Sequence, residues 1–327
     1  MSEKPIIAIT GASGLVGANL SQYLIDRGYK VKALVRDLAR APKGTEAVKA
    51  DLTDKEAMKN GFAGADIVVH AAGMVDPHGD RQTIFDINLK GTKAALEAAN
   101  EASVKQFIYI SSLSVITGQD DQYDVDESAP LVLCGESYAD SKVEAEKYLC
   151  TIKDTDTKIT CLRPGFIYGP GERAWMPRLI TAISNNQVLL IDGGKKETNV
   201  IYVDNLSKAI ESSFLNEKTY GQVYNLTDGQ KVTKKELFDT IADGMNLPRV
   251  KKKMPSTIAK PFISLVSSAV QFLPKEQHKN FSRFSRAAYR LAGLNQGFSI
   301  KKAERDLNYV ERISFKEGMQ KTLQTFK

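Results

Sequence analysis

The chain has 327 residues, 42% hydrophobic and 26% charged, so it can bury a core and is not disordered by composition. Its three cysteines, Cys134, Cys150 and Cys161, form no CxxC pair; they exclude a disulfide framework or a cysteine-built zinc site and read as a reducing, cytoplasmic setting. The net charge of +6 is uneven: residues 1–230 carry 25 Lys and Arg against 31 Asp and Glu, and residues 231–327 carry 20 against 8.

The first residues, MSEKPIIAITGASG, hold no long apolar stretch ahead of a cleavage site, so no secretory signal is expected and residues 5–10 read as a buried strand. A glycine-rich turn follows, then a helix over 18–27 stopped by Gly28. Residues 31–35, 67–70 and 107–111 are three further apolar runs, and the alanine-rich stretch 88–101 reads as a helix between two of them. Strands alternating with helices predict an α/β fold of Rossmann type, a doubly wound parallel sheet with its ligand at the C-terminal strand ends. After residue 165 the pattern loosens. Residues 163–171 are rich in Pro and Gly and read as loop, and strands at 200–203 and 223–226 interrupt helices. The division expected is a dinucleotide-binding domain over 1–165, with parts of 195–230 returning to it, and a smaller substrate-binding lobe over 166–327. His70, His78 and His278 are too scattered for a metal site, and no metal is expected.

The turn Thr10-Gly11-Ala12-Ser13-Gly14-Leu15-Val16-Gly17 sits directly between a strand and a helix, the context that gives a glycine fingerprint meaning. Gly11 permits the tight turn, Gly14 lets backbone approach a pyrophosphate on the helix N-terminus, and Gly17 allows close packing. The expected cradle is Gly11, Ser13, Gly14, Leu15 and Val16. Farther along, Tyr138 and Lys142 are four residues apart, on one helix face. A free tyrosine, with a pKa near 10, is a poor base at neutral pH; a neighbouring lysine charge lowers it toward working pH.

The ordered segments TGASGLVG, Ala50-Asp51-Leu52, His70-Ala71-Ala72-Gly73, Asn88-Leu89-Lys90-Gly91-Thr92, Tyr109-Ile110-Ser111-Ser112, Tyr138-x-x-x-Lys142 and RPGFIYGPG resemble the extended short-chain dehydrogenase/reductases, the superfamily of NAD(P)-dependent epimerases and dehydratases. The pattern is closest to the branch of 3β-hydroxysteroid dehydrogenases and dihydroflavonol reductases. The resemblance implies an NAD(P)-dependent oxidoreductase with Ser112, Tyr138 and Lys142 as catalytic residues. Ser112 would hold the substrate oxygen, with Ser111 a sheet or cofactor neighbour and Ser114 a nearby cap. Asp51 and Leu52 would meet the adenine, the backbone of Ala71, Ala72 and Gly73 the adenosine and ribose, and Pro164, Gly165 and Ile167 the nicotinamide. Tyr138 and Lys142 would also touch the cofactor. At the end of the second strand Val35 stands where NAD enzymes of this type tend to carry an acid, with Arg36 beside it. A guanidinium accepts a 2′-phosphate, so NADP(H) is expected, with NAD(H) as the alternative. His70 reads as a packed strand-end residue.

Relatives that act on nucleotide-sugars carry an asparagine where this chain has Phe166 and an arginine where it has Thr198 and Asn199. Two anion grips are absent, and the substrate expected is a small, apolar ring or lipid-like compound. Lys195, Lys196 or Arg173 could replace the lost grips. A nucleotide-sugar epimerase or dehydratase and a non-catalytic NADP sensor are the alternatives. The uncharged run 261–274 is too short to span a bilayer and reads as an amphipathic helix, with Ser264, Ser267, Ser268 and Gln271 as its polar stripe. Beyond it, Phe281, Phe284, Ala288 and Leu291 share one helix face, and Arg283, Arg286 and Arg290 another. Such basic helices either pack on the domain or lie against a membrane surface. A homodimer through the helices at 88–100 and 138–149 is implied by the resemblance; no nucleic-acid partner is expected.

Overall fold

The computed structural model describes residues 3–76, 79–118, 120–153, 155–270 and 286–327. Seven parallel strands make the central sheet: β1 (Ile7–Thr10), β2 (Val31–Val35), β3 (Glu46–Lys49), β4 (Ile67–His70), β5 (Gln106–Ile110), β6 (Lys158–Pro164) and β7 (Gln222–Leu226). Their order is β7-β6-β5-β4-β1-β2-β3. From β1 the chain winds one way to β3 and then the other way through β4, so the switch point lies between β1 and β4, where a doubly wound sheet opens its ligand crevice.

The main helices are α1 (Leu15–Ile25), α2 (Lys55–Phe62), α3 (Gly91–Glu101), α4 (Ser137–Thr151), α5 (Met176–Ser184), α6 (Val203–Ser212), α7 (Lys234–Gly244), α8 (Ser256–Val270), α9 (Arg286–Gly293), α10 (Lys301–Leu307) and α11 (Phe315–Gln324). Alternation along the strands sorts the core into two faces. Ile7, Ile9, Val69, Ile108 and Ile110 pack under α1, α6 and α10, and Ala8, Val68, Phe107 and Tyr109 pack under α2, α3 and α4. Both faces are covered, which is why these strands are apolar at nearly every position. The sheet is a Rossmann-type fold, and its last strand and the helix α6 come from beyond residue 165. A separate core, including Tyr168, Met176, Ile183, Ile241, Phe315 and Met319, holds the second lobe. Thr233 and Glu236 start α7 with a reciprocal capping box.

Several boundaries differ from the sequence reading. The helix expected over 88–101 is a π-helical turn, Asp86–Lys90, running into α3. The strand expected over 200–203 ends at Tyr202, because Val203 already opens α6. The helix expected to begin at Pro261 begins at Ser256, with Pro261 inside it. One face of α8 buries Ala259 against Ile191, Tyr289 and Leu294, while Ile258 and Leu265 are exposed beside the exposed Lys251, Lys252, Lys253 and Lys260. His78, Gln271, Pro274, His278, Phe281, Arg283 and Phe284 lie outside the described residues. Among the described residues no helix is long and apolar enough to cross a membrane, and no cluster of three or more metal-ligating side chains forms.

Candidate active site

The glycine turn meets the switch point. Gly11 has φ +68°, and a Cβ there would lie 2.7 Å from Ala72 Cα, so only glycine fits both the backbone and the approach. The amide of Gly14 donates to Gly11 O at 2.9 Å. Gly14 caps α1 without a side-chain bond, and the first turn of α1 carries no acid. Ser13, Leu15 and Val16 are half-buried around the same turn. This bare, acid-free helix start fits the pyrophosphate of a dinucleotide.

His70 closes β4 beneath the turn. It is fully buried between Thr10 Oγ1 at 2.9 Å and Thr92 Oγ1 at 3.1 Å, and stacks on Phe107 and Tyr109. Burial first, then the charge of Lys142, holds its pKa down to about 3, so it is neutral. Ala71, Ala72 and Gly73 leave β4 toward the crevice, where the Ala72 amide donates to Thr10 Oγ1 at 3.3 Å. A Cβ on Gly73 would be 3.6 Å from Lys142 Nζ, which places this segment directly against α4.

The end of β5 and the start of α4 bring Ser112, Tyr138 and Lys142 together. Lys142 Nζ donates to the carbonyl of Ile110, the last residue of β5, at 2.8 Å, and stands 4.6 Å from the centre of the Tyr109 ring. Burial pushes Lys142 down to about 8, against the raising influence of Glu146 and then Cys161. Burial pushes the Tyr138 hydroxyl up, and a side-chain hydrogen bond with Ser112 pulls it back. Ser112 Oγ also accepts the Ser114 amide at 3.2 Å. Ser112 is therefore the cap of this turn, and Ser114, expected as a cap, supplies the N–H.

Glu146, Arg163 and Asn88 escaped the sequence reading as site residues. Ser111 Oγ donates to Glu146 Oε2 at 2.5 Å, and Glu146 also accepts Arg163 Nε at 2.9 Å. Asn88, in the π-helical turn, gives Nδ2 to Ser141 Oγ at 2.9 Å and to Met74 O at 3.1 Å, and accepts the Met74 amide at 2.7 Å. It fastens the segment after Gly73 to α4. π-Turns recur at functional sites, but a π-turn has no sequence signature to distinguish it from the helix expected there. The four-residue step from Lys142 to Glu146 was the legible clue to the carboxylate.

At the outer end, Arg36 is exposed just after β2. Asp37 is turned to its own backbone, accepting the Ala39 amide at 3.1 Å. Asp51 accepts the Thr53 amide and hydroxyl at 2.9 and 2.7 Å; these bonds first, and Arg36 last, lower its pKa. Leu52 is half-buried beside it. Across the crevice β6 ends at Pro164. A Cβ on Gly165 would fall 1.9 Å from Asn199 O, and the Phe166 amide donates to that same carbonyl at 2.6 Å. Ile167 O accepts Trp175 Nε1 at 2.9 Å, and the Phe166 ring meets Trp175 edge-on at 6.3 Å. Thr198 and Asn199 are buried. Lys196 is held by Asp121 at 3.0 Å, while Lys195 and Arg173 are exposed.

A model of the 3-beta hydroxysteroid dehydrogenase/isomerase family matches residues 8–254. The chain is 28% identical over 328 residues to a 2-alkyl-3-oxoalkanoate reductase of Shewanella oneidensis, covering 96% of this chain and 84% of that protein. It is 28% identical over 318 residues to a 4-hydroxy-2-methyl-3-oxo-4-farnesyl-3,4-dihydroquinoline-1-oxide ketoreductase of Stigmatella aurantiaca, covering 95% and 93%. It is 29% identical to a 3-beta-hydroxysteroid dehydrogenase of Mycolicibacterium neoaurum over 336 residues, covering 97% and 90%. Among solved structures it shares its fold with UDP-glucose 4-epimerase of Thermotoga maritima, at a TM-score of 0.77, 20% identity and 98% coverage of both chains. The UDP-glucuronic acid 4-epimerase of Bacillus cereus aligns at a TM-score of 0.74 and 19% identity, covering 98% and 97%. The chain belongs to the 3-beta hydroxysteroid dehydrogenase/isomerase family, within the extended short-chain dehydrogenase/reductases, and is an NAD(P)-dependent oxidoreductase.

Proposed function

We propose that the chain transfers hydride between NADP(H) and a secondary alcohol or ketone on an apolar steroid-like, flavonoid-like or lipid-like substrate. The observation that carries this reading is the meeting of Ser112, Tyr138 and Lys142 at the end of β5; the Phe166 and Trp175 rings meet edge-on just beyond the end of β6 and supply an apolar wall. The glycine turn and α1 would hold the pyrophosphate, Asp51 and Leu52 the adenine side, and the segments Ala71–Gly73 and Pro164–Ile167 the rest. When bound, the nicotinamide supplies or accepts the hydride. The Tyr138 hydroxyl moves the proton at the substrate oxygen, Ser112 orients that oxygen, and the Lys142 charge favours the ionised form of Tyr138. NADP(H) is favoured because Arg36 stands free of Asp37, whose carboxylate is occupied by its own turn.

The apolar substrate is supported by the same wall. Phe166 and Thr198 themselves offer a diphosphate no charge, burying one without a charged partner is costly, and Lys196 is already paired with Asp121. An alkyl-oxoalkanoate, a farnesyl quinoline and a 3β-hydroxysteroid, the compounds in the names of the relatives, each set an oxygen function on a largely apolar body. The exposed Ile258 and Leu265, with the exposed Lys251, Lys252 and Lys253 before them and Lys260 between them, support contact with an anionic membrane surface, where such substrates partition.

The test is Tyr138→Phe. Turnover of a ketone panel with NADPH should fall on the order of 10²–10⁴-fold while NADPH affinity is retained. Near-normal turnover in this variant would sink the assignment. Calorimetric binding of UDP- or dTDP-sugars, with none from the apolar panel, would favour an epimerase or dehydratase. NADPH binding with no turnover of any ketone would favour a sensor.

A further inference from the structure

The sheet-facing side of α4 carries Lys142, Glu146 and Cys150 at four-residue intervals, about 6 Å apart along the helix. On β6 the side chains of Cys161 and Arg163 point to one face, about 6.6 Å apart along the strand. Lys142 is bonded at the end of β5, and Glu146 is bonded to Arg163. The helix thus runs back along the strands, and its next turn sets Cys150 over the residue two positions before Arg163, which is Cys161. Each thiol acts on the other: the Cys150 thiol is lowered by its neighbour, and that of Cys161 is raised, first by Cys150 and then by burial. Both line a cleft of about 330 Å³ with Lys153, Lys158, Tyr220 and Gln222. Cys150 is exposed and Cys161 buried, so one thiol is open to a reagent and the other is sheltered behind it. Neither is assigned a step in the hydride transfer.

We propose that Cys150 and Cys161 are a redox-active dithiol that a peroxide closes into an intramolecular disulfide. The Cys150 sulfur attacks one peroxide oxygen and the O–O bond breaks; hydrogen peroxide leaves one water and a sulfenic acid on Cys150. The Cys161 sulfur then attacks the Cys150 sulfur, the S–O bond breaks, and a second water leaves as the S–S bond forms. The two thiols lose two electrons and both their protons, and one peroxide is reduced to two waters. The bridge pins the last turn of α4 to the middle of β6, and Cys134 is left as the remaining thiol.

The experiment treats the folded, reduced, full-length protein with excess hydrogen peroxide, blocks free thiols by alkylation, counts them and maps the peptides. Two of the three thiols should be lost, with the Cys150 and Cys161 peptides linked and released again by dithiothreitol. Cys150→Ser should give no linked pair. A linkage through Cys134, Cys150 carried to sulfinic acid without a bridge, or retention of all three thiols would each overturn the proposal. Because the readout is the linkage in the wild-type chain, the result does not depend on whether a buried Cys161 variant folds or on the substrate.

Discussion

Glu146 accepts both the Nε and the Nη2 of Arg163, at 2.9 and 2.5 Å, with neither side chain more than 4% exposed. The same carboxylate takes the Ser111 hydroxyl, next to Ser112, and its charge heads the influences that hold Lys142 protonated against burial. Ile110 O, the Tyr109 ring, Cys161 and the neutral His70 are the other groups around that ammonium.

Glu146→Gln should therefore let Lys142 lose its proton at lower pH. Lys142 is lowered to about 8, so its charge is present below that pH and lost above it. The basic limb of the kcat/KM profile should move to lower pH in the variant. Leaving Arg163 buried and unpaired costs about 3–5 kcal/mol, so the double change Glu146→Gln, Arg163→Met should recover stability while keeping the shifted limb. A profile that does not move would limit Glu146 to a structural role.

Arg36→Asp should weaken NADPH by about 10- to 100-fold and leave NADH nearly unchanged, from the roughly 1.5–3 kcal/mol of a charge-assisted hydrogen bond. Fluorescence titration of both cofactors reads this directly. Equal affinity for the two cofactors in the unaltered chain would show that Arg36 does not select the phosphate.

Association is expected through α3 and α4. Ala94 is half-buried on α3, and Lys93 lies 4.7 Å from the centre of the Tyr148 ring on α4, so the two helices already form one continuous surface. Light scattering at micromolar concentration should give twice the 36.0 kDa chain mass, and Ala94→Arg should return it to the monomer. A monomer mass for the unaltered chain would refute the dimer.

His70 sets an acid limit on stability. Its pKa is about 3 in the fold against 6.5 for a free histidine, so the unfolded chain binds more protons between those values. The group's contribution is present above pH 6.5 and is lost as pH falls toward 3, with a slope of at most about 1.4 kcal/mol per pH unit. Urea unfolding at pH 7, 6 and 5 should show this slope. His70→Asn, which has no titrating proton there, should show a shallower one; the same slope in both would exclude His70 as the source.

The sheet and its crevice were legible because each rests on local pattern. A glycine fingerprint between a strand and a helix, and Tyr138 four residues before Lys142, are readable without knowing what lies across the fold. The pairing of Glu146 with Arg163 was not, since a helix carboxylate and a strand guanidinium 17 residues apart find each other only once α4 lies on β6. A proline such as Pro261 reads as a helix boundary in sequence, whereas the fold carries it five residues inside α8, which begins at Ser256. Asn88 is visible in the sequence as the start of Asn88-Leu89-Lys90-Gly91-Thr92, but its role follows from the turn that aims it at Met74 and Ser141.

The seventh strand carries a consequence for biosynthesis. While the ribosome has made only the first 165 residues, β6 is the last strand of the sheet and its outer row of amides and carbonyls has no neighbour. About 60 more residues must emerge before Gln222–Leu226 can take that place, from Gln222 opposite Thr160 to Leu226 opposite Pro164. At roughly 5–20 residues per second this leaves a sticky edge open for seconds. A fragment cut at residue 165 would keep that edge permanently, so the nascent chain between those lengths is where a holding chaperone would have most to do.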